Sequence, residues 1–282
     1  MGLARRNIPH AASRYALCMQ ITNDDASLYY EIHGNGPDVV LLHPFPANHK
    51  FWLPIVDALA PRFRLTLPDL RGHGQSQPGD GAATMQKHVR DLLRICDEAR
   101  IQRAVFVGCS IGGYVNFELW RQARERVKAF VFMDTKAPAD SEEARANRLK
   151  SADDVLARGP EAFIDGMLPK LLGRSTRSNR PDIASAARAM MLETSAAGIA
   201  AIQRGMAERT DSTPTLSTIT VPTLVVFGEE DDVPISEGEA IRAGIRNSEM
   251  RVIEKAGHYA VFEKPEESGR ILREWLEKLP RS

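Results

Sequence analysis

The sequence predicts an α/β fold: a mostly parallel sheet with helices on both faces and an inserted helical cap. Three observations predict it. Short apolar runs bounded by turn residues alternate with segments of helical periodicity. The runs are apolar at successive positions, as in strands buried on both faces. Between Lys136 and Ser217 the strands stop, and the chain turns rich in Ala, Arg, Leu and Met, which reads as several helices.

Leu28 to His33 reads as the first strand, turned by Gly34-Asn35-Gly36-Pro37. Asp38 to His43 is a continuous apolar run and a second strand. Phe51 to Leu59 has helical spacing and ends near Pro61. Arg64 to Leu67 is a strand that runs into the loop Pro68 to Gly74. Met85 to Ala99 is an amphipathic helix with Val89, Leu92, Leu93 and Cys96 on one side. Ala104 to Val107 is a strand, Gly108 to Gly113 a sharp turn, and Tyr114 to Arg124 a helix. Val127 to Met133 returns to strand. After the helical stretch come a strand over Val221 to Phe227, a helix over Ser236 to Arg246, a strand over Arg251 to Ile253 and a closing helix over Glu266 to Leu279. These elements divide the chain into a core over 19–135 and 218–282, a cap over 136–217, and a mobile N-terminal arm over 1–18. Ligands bind along the C-terminal edge of such sheets, so the inserted cap is placed as a lid over that edge.

The bulk composition excludes several function classes. With 282 residues, the chain is long enough for one large core with an insertion. Lys+Arg and Asp+Glu are both 37, so the net charge is +0 and nothing draws the surface to nucleic acid or anionic membrane. Cys18, Cys96 and Cys109 match neither a disulfide framework nor a zinc site, which predicts a reducing, cytoplasmic setting. No apolar run approaches the roughly 20 residues that cross a bilayer. The first residues carry Arg5, Arg6 and Arg14 without an apolar stretch behind them, and so make a poor signal peptide.

Gly108-Cys109-Ser110-Ile111-Gly112 fits the Gly-x-Ser-x-Gly nucleophile elbow, between a strand and a helix as that motif requires. A tight strand-to-helix turn leaves no room for side chains beside the serine, which explains the glycines. A dinucleotide-binding turn would need Gly in place of Ser110, and a phosphate loop would need a Gly-Lys ending. A serine hydroxyl needs a base to take its proton. His258, in the loop after the last strand, stands at the same sheet edge and is the candidate base. His10, His33, His49 and His88 lie in the arm, before a turn, on the surface or in a helix, and His43 and His73 lie in loops at the right edge. The base needs a carboxylate to fix its tautomer. The loop Gly228-Glu229-Glu230-Asp231-Asp232 supplies it, with Asp231 preferred, Asp232 next and Asp134 the outside candidate. The chain order Ser110, Asp231, His258 is the one expected for such a relay. The oxyanion donors expected are the backbone N–H groups of Ile111 and Phe45, since Pro44 has none. Trp52 and His43 are candidate substrate contacts; for Trp52 core packing is an equal alternative. Cys109 reads as a residue pointing into the core.

Assembled, these motifs resemble the α/β-hydrolase superfamily, in its serine-nucleophile branch. The resemblance runs from about Met19 to the end. It covers His43-Pro44-Phe45-Pro46, Asp69-Leu-Arg-Gly-His73-Gly-Gln-Ser76, the elbow, Gly228-Glu-Glu-Asp231 and Gly257-His258. The family usually has His-Gly where this chain has His43-Pro44. The resemblance implies a structural His73 and a His43 that shapes the oxyanion loop. Within the superfamily the chain is most similar to small carboxylesterases and 3-oxoadipate enol-lactonase-like hydrolases. That implies a small ester or lactone as substrate and no cofactor or metal. Carbon–carbon bond hydrolases and haloperoxidase-like perhydrolases share the motifs, and a ligand sensor on the same fold is a third class. Epoxide hydrolases and haloalkane dehalogenases need a carboxylate where Ser110 stands. Lys136, Arg145, Arg148 and Lys150 read first as a solvated helix face, and second as an attraction for an anionic substrate.

Overall fold

The computed structural model describes residues 17–280. Eight strands form one sheet: β1 (Leu17–Asn23), β2 (Ala26–His33), β3 (Asp38–Leu42), β4 (Arg64–Pro68), β5 (Ala104–Cys109), β6 (Val127–Met133), β7 (Thr223–Gly228) and β8 (Ser248–Ile253). Their order across the sheet is β1-β2-β4-β3-β5-β6-β7-β8. The six strands from β3 onward run parallel, and the β1–β2 hairpin joins antiparallel to β4. Every residue of β5 and β7 is buried, as strands covered on both faces require.

The helices follow in chain order. In the first half lie α1 (Leu53–Leu59), α2 (Met85–Glu98) and α3 (Ile111–Ala123). Between β6 and β7 come α4 (Glu142–Arg158), α5 (Glu161–Leu171), α6 (Arg174–Asn179), α7 (Pro181–Met191), α8 (Ala196–Ala207) and the short α9 (Thr213–Leu216). The chain closes with α10 (Ile235–Gly244), α11 (Ala260–Glu263) and α12 (Pro265–Leu276). Local chemistry sets their ends. The Ser141 hydroxyl accepts from the N–H of Ala144 at 3.2 Å, Glu142 and Glu143 occupy the positive first turn of α4, and Gly159 at φ 85° ends that helix. On α8, glycines allow the cap to close on the core. A Cβ on Gly205 would stand 1.8 Å from the Ala83 carbonyl oxygen, and one on Gly198 would stand 2.0 Å from that of Gly72.

Several boundaries differ from the sequence reading. The expected arm over 1–18 lies outside the described residues except for Leu17 and Cys18, which open strand β1. That strand was not foreseen, because it is an edge strand with exposed residues and has no apolar run to mark it. Helix α3 begins at Ile111 rather than Tyr114. Gly112 and Gly113 are weak helix formers, but they let the helix sit against β3 and β6. A Cβ on Gly112 would lie 2.4 Å from the Leu42 carbonyl oxygen.

The order of strands puts β3 between β4 and β5, so the chain leaves β3 and β5 in opposite directions. A crevice opens at such a point, at the carboxyl ends of the strands. Leaving β3, the chain enters Pro44-Phe45; leaving β5, it enters Ser110. The ends of β6, β7 and β8 then deliver Asp134, Asp231 and His258 in turn along the same edge.

Candidate active site

Ser110 sits between β5 and α3 with φ 53° and ψ −113°, a backbone conformation that costs a non-glycine residue about 1–3 kcal/mol. The surroundings hold it there. Its N–H donates to the Met133 carbonyl at 2.9 Å, and its own carbonyl accepts from the Thr135 hydroxyl at 2.8 Å. The turn tolerates no side chain at Gly108, where a Cβ would stand 2.3 Å from the Gly112 carbonyl oxygen. The result is a serine that stays partly exposed on a buried frame. Cys109, beside it, is fully buried. Burial pushes its thiol well above the ordinary range, so it is no competing nucleophile.

His258 donates from Nδ1 to both oxygens of Asp231, at 2.9 and 3.0 Å. That bond places the proton on Nδ1 and leaves Nε2 as the basic atom. Nε2 and the Ser110 hydroxyl each lack a hydrogen-bond partner among the described residues, and the two are not yet hydrogen-bonded to one another. The His258 carbonyl lies 3.8 Å from the Cys109 sulfur, so the histidine loop stands against the elbow. Burial opposes charge on the ring, but the carboxylate of Asp231 outweighs it and raises the imidazole above its ordinary value.

The four acids of the β7 loop separate cleanly. Glu229 accepts from the N–H of Lys255, Glu230 accepts from the N–H and hydroxyl of Ser175, and Asp232 is exposed. Asp231 alone among them meets His258, and the Val233 N–H steadies its Oδ1 at 2.9 Å. Asp134 is buried next to it. Its Oδ1 accepts from the Gly228 N–H at 2.8 Å. Burial, and then the neighbouring Asp231, drive its carboxyl well above the usual range.

The N–H groups of Phe45 and Ile111 donate to no protein acceptor among the described residues. The loop bearing Phe45 is held from the cap side: the Thr194 hydroxyl donates to the Pro46 carbonyl at 3.0 Å, and Asn48 reaches Glu193 at 2.9 Å. Phe45 packs edge-on against Phe163 of α5 at 5.9 Å.

Two sequence candidates take other positions. His43 has no atom for a substrate: Nε2 accepts from the Leu70 N–H at 2.9 Å, so Nδ1 carries the proton and donates to the Pro44 carbonyl at 3.0 Å. It is corrected to a brace between the two loops. Trp52 is fully buried, packed edge-on against Phe51 at 5.0 Å, and Phe51 in turn packs on Tyr259 at 5.2 Å. The basic cap residues are partly engaged: Arg148, Lys136 and Arg209 all converge on Asp140. Arg145 and Lys150 are exposed. No helix among the described residues is long and apolar enough to cross a membrane, and none of their acidic, His and Cys side chains cluster to hold a metal.

Beneath the site lie three histidines without a carboxylate partner. Burial holds His43, His73 and His88 each at about 3. A histidine lowered in the folded state stabilises the fold above its unfolded value near 6.5, and that contribution is lost as pH falls. Three such groups predict that stability declines below pH 6.5 with a limiting slope of about 4 kcal/mol per pH unit. His49 acts oppositely. Burial disfavours its charge, but Asp69 at 2.7 Å and Glu31 at 3.3 Å raise it to about 9. Its contribution is whole below pH 6.5 and fades toward pH 9. Urea unfolding from pH 4 to 9 should show a steep acid side and a shallow alkaline side. A midpoint that stays level between pH 7 and 5 contradicts this.

A family model described as the alpha/beta hydrolase fold matches residues 37–265. The chain belongs to the α/β-hydrolase family. A solved thermophilic esterase from Thermogutta terrifontis is 37% identical, with a TM-score of 0.90 over 94% of this chain and 99% of its own. The 3-oxoadipate enol-lactonase 1 of Acinetobacter baylyi is 29% identical over 252 residues, 88% of this chain and 92% of that protein. RutD of Azorhizobium caulinodans, whose name assigns it carbamate hydrolysis, is 36% identical over 140 residues. That match spans only 50% of this chain and 52% of RutD. Within the α/β-hydrolase family, then, the relatives include esterases and lactonases, and other hydrolytic activities besides.

Proposed function

We propose that the chain is a serine hydrolase that cleaves a small carboxylic ester or lactone through an acyl-enzyme on Ser110. The observation that carries the reading is the His258–Asp231 pair, with its free Nε2 at the strand edge where the Ser110 elbow emerges. The esterase and enol-lactonase among its relatives support the substrate class.

In this mechanism His258 Nε2 takes the Ser110 proton as Oγ attacks the substrate carbonyl carbon. Asp231 stabilises the imidazolium that forms, and keeps the ring turned with Nε2 toward the serine. The carbonyl oxygen becomes an oxyanion and accepts from the N–H groups of Phe45 and Ile111; one such donor is worth about 3–4 kcal/mol in the transition state. The intermediate collapses, His258 returns the proton to the leaving alkoxide, and the acyl group stays on Ser110. Water then attacks the acyl carbon as His258 takes its proton; the bond to Ser110 Oγ breaks, His258 returns that proton to Oγ, and the acid leaves. In a lactone the leaving alcohol remains tethered to the acyl group.

A substrate panel tests the reading: short p-nitrophenyl esters, a lactone and a vinylogous diketone, each with wild type and Ser110→Ala. Turnover of esters or lactone by wild type alone is the expected result. Turnover of the diketone without either would reassign the site to carbon–carbon cleavage. No turnover of any, with ligand binding retained, would point to a sensor.

A further inference from the structure

Glu263 is a buried carboxylate that the mechanism does not use. It ends α11, five residues after His258, and is 4% exposed. Its two oxygens go to two different parts of the molecule. Oε1 accepts from the N–H of Gly257, the residue before the base, at 2.9 Å. Oε2 accepts from the N–H of Gly173, in the cap between α5 and α6, at 2.9 Å. The Thr176 hydroxyl of α6 is a further hydrogen-bond partner.

The two bridged strands of chain touch. A Cβ on Gly257 would stand 2.2 Å from the Gly173 nitrogen, so only glycine fits at that crossing. Two more bonds fasten the same cap segment to the catalytic loops. The Tyr259 N–H donates to the Leu171 carbonyl at 3.0 Å. On the acid side, Glu230, the neighbour of Asp231, accepts from the Ser175 N–H at 2.6 Å and its hydroxyl at 2.7 Å. Cap residues 171–176 are thus tied to the loop of the base and to the loop of the acid.

We propose that Glu263 is a positioning residue that clamps the His258 loop to cap residues 173–176, so that the orientation of the base depends on the seating of the cap. This rests on the hydrolase reading above. Gln at 263 fills the same space but has one acceptor oxygen, so one of the two glycine N–H groups loses its partner and faces a second donor. Asp keeps the charge but is one methylene short, so it cannot reach both N–H groups at once. The groups facing His258 are Asp231, Asp232 and Glu263; Asp134 stands behind Asp231, and Cys109 and Tyr259 are neutral neighbours. Removing the Glu263 charge lowers the imidazole's proton affinity.

The test measures kcat, KM and the pH profile of kcat/KM for wild type, Glu263→Gln and Glu263→Asp, with an NMR titration of His258 in each. Both variants should lose about 10–100-fold in kcat, the scale of a misplaced catalytic group, with KM within threefold. The acid limb and the His258 titration should move to lower pH in Glu263→Gln and stay in place in Glu263→Asp. A lowered melting temperature with wild-type kcat and an unmoved His258 titration would make Glu263 merely structural and overturn the proposal. If Glu263→Gln fails to fold, wild-type kcat in Glu263→Asp overturns it equally. Should the wild type turn over nothing, the hydrolase reading fails, while the His258 titration still decides whether Glu263 acts on the base.

Discussion

Ser110→Ala is expected to lower kcat by about 10⁵–10⁶-fold while leaving the fold and substrate affinity close to wild type. In the proposed mechanism the hydroxyl forms the acyl bond, and no neighbour can replace it. Cys109 faces the core with its thiol held neutral by burial. Alanine brings no new clash, because the crowding of the elbow falls on Gly108 and Gly112 and not on position 110. The phi angle stays strained for alanine as for serine. Residual rate above water, about 10³–10⁴-fold, would come from the oxyanion donors and substrate binding. Single-turnover kinetics and thermal melting measure the two sides together. A kcat within tenfold of wild type would remove Ser110 from the chemistry.

Asp231→Asn is expected to cost about 10⁴-fold in kcat, with the two residues still hydrogen-bonded. The amide can present its NH2 to Nδ1, and that stabilises the tautomer with its proton on Nε2, where it cannot accept from Ser110. The ion pair is also lost. Since Asp231 is what raises the imidazole against the effect of burial, the acid limb of kcat/KM should move to lower pH. Asp134 will not substitute. It is held by the Gly228 N–H, its carboxyl is driven up first by burial and then by Asp231, and it does not bond His258. An Asp231→Asn enzyme that keeps its rate, followed by loss in Asp134→Asn, would exchange the roles of the two acids.

Two parts of the site were legible in sequence for one physical reason. Ser110 and Asp231 come after β5 and β7, which are fully buried parallel strands, and such strands announce themselves as continuous apolar runs. His258 comes after β8, an edge strand that is only partly buried, so its place was legible from its Gly-His setting and the chain order instead. The Gly108 and Gly112 spacing was legible because close backbone approach leaves no other residue type. Edge strand β1 was not, since Leu17 to Asn23 are largely exposed and carry no run. The start of α3 was missed because packing against Leu42 and Thr135 overrides the poor helix propensity of its glycines. His43 looked available because an imidazole in a loop at the right edge has no visible partners in sequence; its partners are the backbone of Leu70 and Pro44. Glu263 was invisible for the same reason. It bonds two glycine N–H groups, one 6 and one 90 positions away, and backbone donors leave no signature.

The central claim is that Ser110 is a nucleophile activated through His258. Reaction with a fluorophosphonate, followed by peptide mass mapping, tests it most directly. The account predicts one adduct per chain, on the peptide carrying Ser110, absent from Ser110→Ala and formed far more slowly by His258→Ala. An adduct on another residue, or equal labelling of wild type and His258→Ala, would contradict it.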